Sequence, residues 1–182
     1  LSPDWTGQAS VPYQEKQLTE YAPYIHVQQL FLRRFIGSLG MRIENNNLFG
    51  QTVVPKAGLV MHFSESSAFR MTAAKGFRSP SIRELYFFPS HNEDLKPDEI
   101  WNYEVGWNQQ IGQSLNFDAA VFRTEGDNII TLNKKISGMG YQLTNGGEIT
   151  NTGYELMLHW LPIQALEIGG SYAKVDMKHP IP

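Results

Sequence analysis

The stretch 75-KGFRSPSIRELYFFPSHNEDLKPDEIWNYEVGWNQ-109 changes character two thirds of the way along. From Trp101 to Asn108 apolar and polar residues alternate: Trp101, Tyr103, Val105 and Trp107 against Asn102, Glu104, Gly106 and Asn108. A period of two is the signature of a strand with one apolar and one wet face. Residues 76–99 have no period and crowd Pro, Arg, Glu and aromatic side chains together, so they read as one long loop.

The same alternation recurs along the chain and predicts an all-β fold, an antiparallel up-and-down meander of about eight strands. The strands are placed at about 20–31, 36–44, 55–63, 68–75, 100–108, 114–124, 152–160 and 166–174. Short connections fall near Arg33-Arg34, Ser64 to Ser67, Gln109 to Gly112 and Pro162-Ile163. Long ones are expected at 45–54, 76–99 and 125–151. Short turns on one rim and long loops on the other are the rhythm of a transmembrane β-barrel. A soluble β-sandwich also alternates, but does not favour one rim for every tight turn.

Aromatic residues sharpen the choice. Phe31, Phe63, Phe69, Trp107 and Trp160 gather beside the short turns, and Tyr21, Trp101, Tyr103, Tyr154 and Tyr172 towards the opposite ends. Tyr21 and Phe31 lie ten residues apart, roughly 33 Å along a strand. Tilted by about 40°, that spans roughly 25 Å, the height of the apolar band between aromatic girdles. The opposite face carries Arg42, Lys56, Arg70, Glu104, Asp118 and Glu155, and reads as the lumen.

Bulk composition excludes other classes. Fifteen basic and eighteen acidic residues give a net charge of -3 with no basic run, which excludes a nucleic-acid partner. Without cysteine there is neither a disulfide framework nor a zinc-thiolate site. The best apolar run, "AGLVMHF", stops at seven residues, far short of the roughly 18 of a membrane helix. With the tight turns placed inside, both chain ends fall outside the cell, so the chain reads as a piece of a larger barrel.

The two boxes in the opening stretch resemble those of TonB-dependent outer-membrane receptors. The first is Phe77, Arg78, Ser79 and Pro80, with Glu84 and Leu85 following. The second is Asn92, Glu93, Asp94, Leu95, Lys96 and Pro97, and departs from the family form at Glu93 and by the extra Asp98 before Glu99. "NGGEITNTGYELMLHW" adds an Asn-x-Gly loop end before an aromatic-Glu strand start. The resemblance implies a barrel segment, without its plug domain, of an active transporter in the outer membrane of a Gram-negative bacterium. It implies uptake of a scarce nutrient (a ferric siderophore, haem or cobalamin) and a TonB partner reached through an N-terminal part. A self-contained small barrel with a structural or adhesive role is the alternative.

Candidate ligand contacts follow from the same resemblance. His91 lies between the boxes, where haem receptors of the family carry a proposed iron ligand, and Tyr86, Phe87 and Phe88 offer rings to stack on a flat ligand. No resident cofactor is expected, haem entering only as transported ligand. Arg78, Arg83 and Glu84 are expected to form an ion-pair cluster that stiffens the loop. "IITLNKKISGMGYQL" reads as a hairpin with Lys134 and Lys135 at its tip, and Tyr141 and Gln142 as weaker contacts. His26, His62 and His159 have no metal-ligand spacing. Ser114 and His159 share the inner rim without an identifiable third group, so the chain reads as no enzyme.

Overall fold

The computed structural model describes residues 17–87, 89–134 and 140–178. These form one antiparallel sheet of nine strands: β1 Glu20–Tyr21, β2 Tyr24–Phe31, β3 Phe35–Asn46, β4 Gly50–Ser64, β5 Ser67–Arg78, β6 Asp98–Ile111, β7 Leu115–Lys134, β8 Tyr141–Ile163 and β9 Leu166–Lys178. A single π-helical turn, Arg83–Phe87, sits between β5 and β6. β1 and β2 both pair with β3 and amount to one strand broken at Ala22-Pro23. Proline has no N–H to give a ladder and belongs at an edge. Here the Pro23 carbonyl still accepts from Ile43 N at 3.0 Å, so the register survives the break.

The remaining strands follow in chain order, each bonded to its predecessor, and β9 pairs only with β8. The described sheet is therefore an open wall, consistent with a segment of a wider barrel. Register keeps the two faces separate. Val27, Leu39, Ala57, Ala73 and Tyr103 lie opposite one another on one face, and Gln28, Ser38, Gly58, Thr72 and Glu104 on the other. A slip of one residue anywhere would exchange the faces.

The apolar side finds no protein partner among the described residues. Leu39 is 68% and Val121 56% exposed, and the buried apolar side chains among the described residues are Leu85, Leu95 and Ala120, with Pro80. A water-facing sheet with this much open apolar surface would associate, so the face requires hydrocarbon.

The tight turns lie at one rim, at 32–34, 65–66, 112–114 and 164–165. Leu32 and Arg33 both carry positive φ, 50° and 56°, where hairpin turns ordinarily use Asn or Gly. The row of direct partners Phe35, Met61, Phe69, Trp107, Ala119, Leu156 and Tyr172 drifts away from this rim. It starts on the first residue of β3, and reaches Phe69 two residues past Ser67, Ala119 four past Leu115, and Tyr172 six past Leu166.

At the opposite rim two expected loops prove to be strand. The expected loop at 45–54 shrinks to a turn at 47–49, because β3 and β4 stay paired up to Asn46 and Gly50. Two of its three asparagines bond nearby backbone: Asn46 Oδ1 accepts from Leu48 N at 2.8 Å, and the Asn47 side chain bonds Thr19 N and Gln17 O. The expected loop at 125–151 is mostly a hairpin extension of β7 and β8, paired out to Lys134 and Tyr141. Polar residues such as Thr131, Asn133 and Thr144 pair well in strands that have left the apolar band, and apolar alternation does not register them. A bulge between Gly126 and Ile129 places Asn128 at φ 56°, a conformation asparagine tolerates.

Candidate functional site

The described residues between β5 and β6 are folded onto themselves by local hydrogen bonds. "SIRE" begins it as a capping box: Glu84 Oε2 accepts from Ser81 N and Oγ, both at 2.7 Å, and Glu84 N donates to Ser81 Oγ at 3.3 Å. Leu85 N then bonds Ser81 O at 3.1 Å and closes the turn. Leu85 and Leu95 are 2% and 3% exposed and Pro80 is buried. Pro80, Leu85 and Leu95 are thus shielded from solvent in a loop that lies outside the sheet.

Charge organises the base of this loop. Arg78, the last residue of β5, donates from Nε to Asp98 Oδ2 at 2.8 Å and from Nη1 to both Glu84 oxygens at 3.1 Å. Asp98, the first residue of β6, is 4% exposed, and its other oxygen accepts from Ile130 N of β7 at 2.9 Å. Burial pushes the Glu84 carboxyl up, but the Ser81 amide and hydroxyl and the Arg78 guanidinium outweigh it and hold it below the usual carboxylate range. The expected pairing of Arg78 with Glu84 is present. Asp98, which in the sequence looks like an insertion that spoils the second box, is the bridge that joins loop, β5 and β7.

Two asparagines fasten the loop to the β7–β8 hairpin. Asn92 Nδ2 donates to Leu143 O at 2.9 Å, and Leu143 N returns a bond to Ser90 O at 2.8 Å. Asn145 Oδ1 accepts from Lys96 N at 2.7 Å, while its Nδ2 donates to Lys96 O and Asn128 O, both at 2.8 Å. Asn145 stands where β8 shifts register against Ile129 and Ile130, which frees its amide to read the Lys96 peptide as a strand would. The Asn-x-Gly loop end read in the sequence is Asn151 to Gly153 and did not point to Asn145, and the Ser-x-x-Glu spacing was the unread signal for the cap.

The candidate ligand contacts ride on this scaffold. His91 is exposed, Phe87 is 63% exposed and Tyr86 half-buried, all on the segment between the boxes. Phe88 and Lys135 lie outside the described residues, and Tyr141 and Gln142 open β8 beside the hairpin tip. No group of three or more potential metal-ligating side chains occurs among the described residues.

The lumen wall carries its own network. Arg70 grips Asp118 with two nitrogens at 2.8 and 2.9 Å and reaches Glu104 at 3.1 Å. Near the inner rim His159 meets not Ser114 but Glu167, at 2.7 Å, as an exposed pair. A depression of about 750 Å³ lies on the apolar face, lined by Val27, Phe31, Leu39, Leu59, Val105 and Val121 among others, with Tyr103 and Arg123 also on its wall. Its lining excludes it as a site for a polar nutrient crossing the lumen.

Comparison with known proteins agrees with this architecture. Residues 2–178 match the family described as TonB dependent receptor-like, beta-barrel. A vitamin B12 transporter, BtuB of Photobacterium profundum, is 24% identical over 128 residues, 70% of this chain and 21% of its own length. The siderophore receptor PirA from Acinetobacter baumannii superposes with a TM-score of 0.78 at 15% identity, over 87% of this chain and 27% of its own. The ferric enterobactin receptor PfeA from Pseudomonas aeruginosa, as the G324V mutant, gives 0.77 at 16%, over 87% and 26%. The chain thus spans about a fifth to a quarter of the length of these relatives. Strand order, two-faced wall and boxed outer loop agree with the family match: the chain belongs to the TonB-dependent receptors, as part of their β-barrel.

Proposed function

We propose that this chain is a wall and outer-loop segment of an active transporter that takes up a scarce nutrient, a ferric siderophore, haem or cobalamin, across the outer membrane of a Gram-negative bacterium. The observation that carries this reading is the built loop between β5 and β6. Its shielded apolar residues, capping box and Arg78–Asp98–Glu84 cluster hold Tyr86, Phe87 and His91 at the outer rim, where a ligand arriving from outside meets the barrel. A structural or adhesive barrel has no need of a loop so heavily braced. Relatives named as transporters of vitamin B12, iron and copper point the same way.

In this reading Phe87 and Tyr86 supply apolar contact and His91 a neutral imidazole, a good axial ligand if the cargo is haem. Energy reaches the barrel from a TonB complex through a part of the receptor outside this chain. The test is uptake of labelled cobalamin, ferric siderophore and haem by cells carrying the full-length receptor, with and without TonB. TonB-dependent accumulation of one of the three is expected, and uptake of none would overturn the proposal. For haem, a Soret shift on the wild type that His91→Ala abolishes is the specific signature.

A further inference from the structure

The sequence holds a single Asn-Gly pair, Asn145-Gly146, and the structure places it at the clasp between loop and hairpin. Asparagine is among the chemically labile residues. Its side-chain amide is most open to its own main chain when glycine follows, because glycine has no Cβ to shield its nitrogen or restrict the approach. After every other asparagine of this chain stands a residue with a side chain.

The two reacting groups are held very differently. Both ends of the Asn145 amide are engaged: Oδ1 accepts from Lys96 N at 2.7 Å, and Nδ2 donates to Lys96 O and Asn128 O, both at 2.8 Å. Gly146 is the odd residue of the β7–β8 register, which matches Ile130 with Asn145 and Ile129 with Gly147 and passes over it. It is exposed, and a Cβ built on it would meet nothing within 4 Å. The electrophile is thus tied down by the loop, and the nucleophile beside it is unhindered.

We propose that Asn145-Gly146 is a latent deamidation site, shielded while the outer loop is clasped and reactive once the clasp opens, and that its reaction blocks reclosure. In the closed form the three bonds keep the side chain on Lys96 and Asn128, so it does not swing round to its own main chain. Once it is released, the Gly146 nitrogen bonds Asn145 Cγ and loses its proton. The Cγ–Nδ2 bond breaks, and Nδ2 takes up a proton and leaves as ammonia. Water then opens the succinimide ring at one of its two carbonyls, giving aspartate or isoaspartate. Either product replaces a two-proton donor by an acceptor. A carboxylate still accepts from Lys96 N, but it sets oxygen against the carbonyls of Lys96 and Asn128, which lose their donor. Isoaspartate also adds a main-chain atom beside the bulge, where β7 and β8 already shift register. The site rests on the clasp alone and not on the uptake reading.

The experiment ages the detergent-purified full-length receptor at mildly alkaline pH and follows each asparagine by peptide mass spectrometry. In the wild type Asn145 should stay intact as long as the other asparagines do. Asn92→Ala removes the neighbouring tie to Leu143, and Asn145 should then deamidate roughly fivefold faster, the gain in opening from one lost hydrogen bond. Adding Gly146→Ala should suppress that gain, and the open space around Gly146 lets the fold accept the methyl group. Hydrogen exchange reads the blocked reclosure: Asn145→Asp should speed exchange at the Lys96 amide roughly twentyfold, two lost bonds at about fivefold each. Deamidation of the clasped wild type ahead of its other asparagines would overturn the shielding. No acceleration in Asn92→Ala, or acceleration that survives Gly146→Ala, would overturn the latent site. An unchanged Lys96 amide in Asn145→Asp would overturn the block on reclosure. If Asn92→Ala does not insert, the wild type in sub-denaturing urea replaces it, with the same acceleration and the same suppression by Gly146→Ala required.

Discussion

The wall and the boxed loop are folded by opposite means. Along β2 to β9 stability comes from an unbroken ladder and from a solvent that is not water, and the wall's buried apolar residues amount to Ala120 among those described. The loop between β5 and β6 has no ladder of its own, and it is held by Leu85, Leu95, a cap and a buried carboxylate. A barrel wall can therefore change its side chains freely as long as the two faces keep their polarity. The loop depends on individual residues.

That contrast can be broken by substitution. The largest effect is expected from Leu85→Ala or Leu95→Ala, about 2–5 kcal/mol lost from the loop's local stability. Protease should then cut within 76–99 while the barrel keeps its heat-resistant electrophoretic mobility; joint loss of both would make loop and wall one cooperative unit. On the wall, Leu156→Lys should cost about 2–4 kcal/mol of bilayer insertion, and the neighbouring Glu155→Lys, on the lumen face, little. Folding titrations into lipid vesicles measure both, and equal responses would deny the two-faced reading. Glu104, which binds Arg70, is no neutral control.

Smaller effects sharpen the comparison within the loop. Arg78→Ala leaves Asp98 buried without its cation. A fully buried pair broken this way costs about 3–5 kcal/mol, and the half-exposed Arg78 side chain reduces that to about 1–2 kcal/mol. Hydrogen exchange at Ile130 should report it, because that amide donates to Asp98. The smallest effect is acid sensitivity. The folded pKa of Glu84 is lowered from 4.5, so its contribution is complete above that value and is lost as the pH falls through the lowered one. Loop protection followed from pH 7 to pH 3 should fade in the wild type, and Glu84→Gln should remove this component.

The wall was legible because period-two alternation is imposed by two solvents on every strand, and Val105, Leu156 and Tyr172 declare their face without reference to a partner. Of the strand extensions above the membrane only the tip hairpin at 129–143 was read; its continuity with β7 and β8 was not, since Thr131, Asn133 and Thr144 display no apolar alternation. In the loop, the boxes announced that Arg78, Glu84 and Leu95 mattered. Asp98 escaped because its role is made by a partner 32 residues away, the Ile130 amide. Asn145 escaped for a similar reason, its bond to Lys96 spanning 49 positions.

The drifting row from Phe35 to Tyr172 has a geometric consequence. Six residues of drift accumulate over the six steps from β3 to β9. One residue per step, roughly 3.3 Å of rise for every roughly 4.8 Å of sideways spacing, is a gradient of roughly 35°. Hydrogen-bonded neighbours therefore climb a ramp that winds around the axis like a screw thread, and contours of equal membrane depth cut across it. Lys75 and Arg123, each eight residues along its strand from Ser67 and Leu115, occupy different turns of the thread yet one depth. Ala73 and Tyr103, bonded face to face, stand six residues from Ser67 and eight from Ile111, and see different slices of the hydrocarbon. The sensitivity of any wall position to charge should accordingly follow its distance from the nearest inner turn, and its ladder partner will be a poor guide.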